Sequence, residues 1–259
     1  MHLSLWRAEE LGDEKETFMN KNSCLDHRAS IFPIFNGFAK ETESGWGFIP
    51  ELYLGTGFLI EKRGRVFLVT ASHVVDPGNL REGGVFIFYF GRPDRPSGSD
   101  HCGIPNERFV HHPSADIAYA EIPSEVHERT GGEHLPLAQE RLSLGQSFFA
   151  VGYPFTGKDS PTSISLEQFV FIGHVASRYP EERAIKVGIT RPAEWNYVLS
   201  VDAARGLSGA PVLSDDNPER VFQVVGMVYG SRQISIGEDT HRFGIGAELA
   251  EISAIGETW

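Results

Sequence analysis

From Ile31 to Ala247 the chain repeats one pattern: a short apolar run rich in Phe, Val and Ile, then a glycine, a proline or a polar turn. The first set of runs is Ile31–Phe38, Leu52–Ile60, Val66–Thr70, Val85–Phe90, Arg108–Val110 and Ile117–Ile122. The second is Ser147–Gly152, Gln168–Ser177, Ala184–Ile189, Tyr197–Val201, Ala210–Leu213, Val221–Val228 and Phe243–Ala247. Runs this short, built of aromatic and β-branched residues and bounded by turns, predict strands. The 28 glycines and 15 prolines supply the turns, so an all-β class is expected. Glu61–Arg65 reads as a hairpin turn, Gly91–Ser99 as an exposed loop, and Ser124–Gly132 as a polar crossover between the two strand sets.

One turn carries chemistry. Gly206-Leu207-Ser208-Gly209-Ala210-Pro211 sets a serine between glycines, just after the run Tyr197–Val201. A serine hydroxyl attacks a carbonyl only when a base takes its proton. The oxyanion that forms needs backbone N–H groups aimed at it. Gly206 permits a backbone turn that other residues resist, so the Gly206 and Ser208 N–H groups can converge on one spot. Gly55-Thr56-Gly57 reads as a strand with close backbone approach.

A base and its orienting acid lie upstream. Val66–Val75 starts as an apolar strand and runs into Thr70-Ala71-Ser72-His73, which places His73 at a strand end. Asp116 opens the short apolar strand Ile117–Ile122, where a carboxylate is costly unless partnered. It can hold an imidazole and stabilise the imidazolium. His111 and His112 precede that strand and read as a solvated or locally bonded pair. Asp76-Pro77-Gly78 has turn chemistry, and Asp94 and Asp100 fall in or beside the Pro/Gly/Ser loop.

The motifs Thr-Ala-Ser-His73, Ala-Asp116-Ile-Ala and Gly206-Leu-Ser208-Gly-Ala-Pro, in the order His, Asp, Ser, resemble those of trypsin-like (chymotrypsin-fold) serine peptidases. The resemblance is closer to the bacterial, disulfide-free HtrA kind. Leu144–Pro154 is similar to the strand that opens the second barrel there, Val224–Gly230 to the substrate-binding strand, and Phe243–Ala247 to the far wall of the specificity pocket. It spans roughly residues 30 to 250 and implies two six-stranded Greek-key barrels with the site in the cleft between them, plus short terminal helices. The expected division is an N-terminal extension over 1–28, barrels over 29–132 and 133–248, and a short helix or tail over 249–259.

The implied function is a serine endopeptidase with His73, Asp116 and Ser208 as triad and Gly206 and Ser208 as oxyanion hole. Its alternative is a catalytically latent or inactive binding module of the same fold. The resemblance also points to Asp202, six residues before Ser208, as the base of the specificity pocket, with Tyr229, Gly230 and Gly244 lining the substrate side. An acid in an open pocket favours Arg or Lys before the cut. Arg205 or Arg242 can instead neutralise it, which leaves small or apolar residues, and His174 or His241 would suit an acidic one. Activatable members carry Asp just before the serine. Leu207 stands there, so no activation by N-terminal cutting is expected, and loop order, an effector or a regulatory protein partner takes its place.

Composition narrows the partners. A net charge of −12 argues against nucleic acid, and no apolar run approaches a membrane span. His and Cys lack paired-ligand spacing, so no metal is expected, and no phosphate loop or other cofactor motif is present. The partner is a protein or peptide substrate. Two cysteines, Cys24 and Cys102, give no disulfide framework, and the first ten residues lack a secretory pattern, so a reducing cytoplasm is the expected compartment.

Overall fold

The computed structural model describes residues 6–7 and 30–256, except 43–44, 81–83, 93–94, 155–156, 161–162, 166, 187–190, 203, 215–221, 237–238, 249–251 and 253–254. Most of the expected extension over 1–28 and of the tail over 249–259 lies outside them, as does Cys24. The strands fall into two seven-stranded antiparallel sheets and one small hairpin. A two-residue strand, β1 (Trp6–Arg7), belongs to the second sheet.

The first sheet contains β2 (Ile31–Thr42), β3 (Gly45–Lys62), β4 (Arg65–Thr70), β5 (Gly84–Arg92), β6 (Arg95–Ile104), β7 (Val110–His111) and β8 (Ala118–Ile122). They are ordered β6-β5-β2-β3-β4-β8-β7 and curl into a half-barrel. The hairpin at Glu61–Arg65 is present, with Lys62 paired to Arg65. The loop expected over Gly91–Ser99 is instead the end of a hairpin, in which Gly91 pairs with Ser99. Its serines and glycines pair through the backbone, which needs no apolar alternation. A short helix, α1 (Ser124–Arg129), occupies the polar crossover.

The second sheet follows. It holds β9 (Ser147–Gly152), then, after the hairpin β10 (Gly157–Ser160) and β11 (Ser163–Ser165), β12 (Phe169–Pro180), β13 (Trp195–Leu199), β14 (Pro211–Ser214), β15 (Gln223–Ile236) and β16 (Asp239–Glu248). The order is β12-β13-β16-β15-β14-β9, and β9 pairs back onto β12, closing a six-stranded barrel. Along β12, Phe171, Gly173 and Val175 point inward while Ile172 and His174 face out, the period of a strand with one wet face. Arg178 of β12 pairs with the buried Glu248 of β16 and covers the Trp195 ring at 4.8 Å. The run Ala184–Ile189 was expected as a strand, but Glu181–Lys186 forms a helix, α2. Glu181 and Glu182 fill its first turn and Arg183 and Lys186 its last, which suits the helix dipole.

The connector Leu135–Ala138 ties the two sheets. Leu135 N–H donates to Leu59 O at 2.8 Å in the first sheet, and Ala138 N–H to Val224 O at 3.0 Å in the second. One apolar cluster runs across the junction, from Ile31, Phe58 and Phe67 to Tyr153, Leu213, Met227 and Ile245. Phe67 is fully buried, meeting Tyr119 edge-on at 5.5 Å. Removing its ring leaves a cavity that rigid strands cannot close, so Phe67→Ala is expected to cost about 3–5 kcal/mol in urea unfolding. A loss under about 1 kcal/mol would mean the site repacks.

Candidate active site

Strand pairing brings His73 and Asp116 to one sheet end. Thr70, the last residue of β4, pairs with Ala118, the first of β8. The residues leaving β4 and entering β8 are therefore neighbours, and Ser72 N–H donates to Asp116 O at 3.2 Å. Ser72–Val75 forms a single 3-10 turn whose Val74 and Val75 are buried, which anchors it. Asp116 Oδ1 accepts the His73 backbone N–H at 2.9 Å, and Oδ2 lies 2.6 Å from His73 Nδ1. The carboxylate is nearly buried, so these bonds offset its lost hydration. A carboxylate oxygen accepts only, so Nδ1 carries the proton and Nε2 is left to accept one. The imidazole side chain is 49% exposed, open to an incoming group.

The serine loop is held by its own backbone. Gly206 has φ +100° and Gly209 φ +86°, values that favour glycine. A Cβ on Gly209 would lie 1.9 Å from Thr56 O. Leu207 N–H donates to Ala204 O at 3.0 Å, Ala210 N–H to Leu207 O at 2.9 Å and Gly209 N–H to Val228 O at 2.7 Å. Leu207 is buried in the barrel core, while Ser208 is half-buried. The N–H groups of Gly206 and Ser208 donate to nothing among the described residues.

The loop meets the His73 turn at β3. A Cβ on Gly55 would lie 2.7 Å from Ser208 O and 2.8 Å from Val74 Cγ2, and Thr56 N–H donates to Ser208 O at 2.8 Å. The close backbone approach read from Gly55-Thr56-Gly57 is this contact. The Gly206 carbonyl accepts from Tyr53 Oη at 3.0 Å and Thr56 Oγ1 at 2.9 Å. Neither hydroxyl was singled out from sequence, because their partner lies 150 or more residues away.

Asp202, Gly230 and Gly244 lie together at one end of the barrel. Gly244 N–H donates to Val201 O at 2.6 Å, and Gly244 pairs with Ser231, next to Gly230. Gly230 borders open space, with nothing within 4 Å of where a Cβ would stand. Asp202 Oδ1 is buried and makes no hydrogen bond with the described residues. Tyr229 is buried, and its hydroxyl lies 2.5 Å from Asn196 Oδ1, so only its backbone is left for a substrate. Burial pushes its phenol well above the usual range.

His112 is bonded locally: its Nδ1 accepts from Ala115 N–H at 2.8 Å. His111 is not. Ser72 Oγ lies 2.6 Å from His111 Nδ1, and Arg191, from the second half of the chain, donates to Ser72 Oγ at 3.0 Å and to His112 O at 2.8 Å. Arg191 sits at φ +51°, a conformation rare outside glycine. Among the described residues no three His, Cys, Asp or Glu side chains cluster as metal ligands, and no helix is long and apolar enough to cross a membrane.

A closed barrel and a half-barrel define a chymotrypsin-like architecture, in which the turn bearing His73 and the glycine-framed Ser208 loop both meet β3. The sequence matches the trypsin-like peptidase domain over residues 55–227, and the chain belongs to that family. The active form of the Rv3671c protease from M. tuberculosis aligns with a TM-score of 0.53 at 17% identity, covering 91% of this chain and 85% of that one. An inactive serine-to-alanine mutant of Rv3671c from M. tuberculosis H37Rv gives 0.52 at 16% identity, with both chains fully covered. At these identities the likeness is one of fold. No curated protein matches the sequence.

Burial, with the Arg191 cation beside it, holds His111 below the ordinary 6.5, against the pull of Asp76 and Asp116. The fold therefore keeps His111 neutral while the unfolded chain protonates first. Stability is whole above pH about 6.5 and falls as the pH drops through it. Between pH 7.5 and 5.5 the wild-type Tm is expected to fall more than that of His111→Gln, which keeps an acceptor for Ser72. Parallel melting curves would remove His111 as the cause.

Proposed function

We propose that the protein is a serine endopeptidase in which His73 is the base, Asp116 its orienting acid and Ser208 the nucleophile. The observation that carries this reading is the meeting at Gly55 of the serine loop and the turn bearing His73, with His73 Nδ1 already committed to Asp116. His73 Nε2 takes the Ser208 Oγ proton as Oγ bonds to the peptide carbonyl carbon. The carbonyl electrons move onto oxygen, which accepts from the Gly206 and Ser208 N–H groups, each worth about 3 kcal/mol at the transition state. The imidazolium returns its proton to the leaving amine as the C–N bond breaks. Water, activated by the same imidazole, then releases the acid and restores Ser208.

The buried Asp202 Oδ1, without a hydrogen bond among the described residues and at the same barrel end as Gly230 and Gly244, supports Arg or Lys before the cut. The absence of Asp at position 207 supports a loop that needs no N-terminal cutting. The low cysteine count supports a reducing compartment, the cytoplasm, and we take the substrate to be a specific protein under regulation.

A fluorophosphonate probe is expected to label the wild type and not Ser208→Ala. His73→Ala should lower turnover of denatured protein by about 10⁴-fold or more. Labelling that survives Ser208→Ala would overturn the nucleophile, and an unlabelled, inactive wild type would favour a binding module. Cut sites mapped in a peptide library should follow Arg and Lys, and Asp202→Asn should weaken that preference by about tenfold or more. An unchanged pattern would remove Asp202 from the pocket.

A further inference from the structure

The Gly206–Leu207 peptide is gripped at both ends. Its carbonyl accepts two hydroxyls from the first sheet, Tyr53 Oη at 3.0 Å and Thr56 Oγ1 at 2.9 Å, and its N–H donates to Ala204 O at 3.0 Å. A carbonyl with both lone pairs used, on a peptide whose N–H is also bonded, does not flip without breaking three bonds. The next peptides are fixed too, by Ala210 N–H on Leu207 O and by Thr56 N–H on Ser208 O. Along this stretch the Gly206 and Ser208 N–H groups stay open among the described residues.

We infer that Tyr53 and Thr56 are positioning residues for the oxyanion hole: their hydroxyls hold the Gly206 carbonyl so that the Gly206 and Ser208 N–H groups face the reacting carbonyl. The inference rests on the serine-peptidase reading and deepens it. The direction of both hydrogen bonds is settled by chemistry. The Gly206 carbonyl has only lone pairs to give, so both hydroxyls donate. Thr56 Oγ1 accepts Tyr153 N–H at 3.2 Å, which leaves its one proton for Gly206. Burial raises the Tyr53 phenol far above neutrality, so it remains a donor through any assay range. Both residues sit on β3, which also receives Ser208 O, so one strand of the first sheet sets the loop of the second.

Among the described residues neither hydroxyl hydrogen-bonds to the serine hydroxyl or the imidazole, so their loss should lower kcat and leave KM alone. Tyr53→Phe keeps the ring and removes one donor. Its kcat per titrated active site is expected to fall about tenfold, with KM within about twofold. Affinity for a peptide aldehyde, whose adduct places an oxyanion in the hole, should fall by the same factor. Thr56→Val should lose more, and Thr56→Ser, which keeps the hydroxyl, should restore most of it. A purely structural role would lower Tm and the fraction of titratable sites while kcat per site held.

Wild type and Ser208→Ala run alongside separate the two ideas. If the wild type is labelled and turns over but Tyr53→Phe matches it in kcat and aldehyde affinity, the positioning role is wrong and the peptidase stands. A wild type that neither labels nor cleaves overturns the peptidase reading itself.

Discussion

The side chain and backbone of Thr56 make the junction on which the site depends. Its N–H reaches Ser208 O, its hydroxyl reaches Gly206 O, and its own carbonyl accepts Thr70 Oγ1 at 2.7 Å. The same hydroxyl accepts Tyr153 N–H, just past the end of β9 in the second sheet. Thr56 is fully buried, so each of these groups would cost about 1–3 kcal/mol if left unpaired. Thr70 leads directly into the His73 turn. One residue therefore ties the His73 turn, the Ser208 loop and the barrel closure to a shared frame. Gly209 makes that frame possible, since any side chain there would strike the Thr56 carbonyl.

Asp116 solves a different problem, the orientation of a half-exposed ring. A side-chain bond alone would leave the imidazole free to swing with its backbone. Here the same carboxylate holds both the His73 N–H and Nδ1, so main chain and ring are referenced to one group. Behind it, Arg191 reaches across to Ser72 and His112, so the turn is braced from the second half of the chain as well. Both halves thus contribute to placing His73, as both do to placing Ser208.

The legible parts of this protein were those written locally. Strands show in runs such as Val66–Thr70 and Ser147–Gly152, and the serine loop shows in its glycines, because φ near +100° leaves few other residues. Asp116 shows because an acid opening an apolar strand requires a partner. The hidden parts depend on what lies across space. Tyr53 and Thr56 look like ordinary strand residues until Gly206 is set against them. The far end of the β5–β6 hairpin, over Gly91–Ser99, is polar in sequence and shows no apolar alternation, although its backbone pairs. The helix at Glu181–Lys186 owes more to charge placement than to apolar period. Closure of one sheet and not the other rests on β9 finding β12, a pairing that no single run encodes.

Leu207 then acquires a physical meaning. A loop ordered by an ion pair must bury charge, and the desolvation of each ion costs several kcal/mol before the pair repays it. An apolar residue in the barrel core carries no such cost, and it leaves the loop to be ordered by neutral hydrogen bonds. Two hydroxyl donors on one carbonyl supply about 2 kcal/mol net, enough to favour the ordered loop about thirtyfold. That is a modest margin. It is a margin set by neutral hydrogen bonds rather than by a buried ion pair. Both donors sit on β3, so the order of the serine loop is tied to its docking against that strand, whereas the His73–Asp116 bonds are made between segments of the first half of the chain alone.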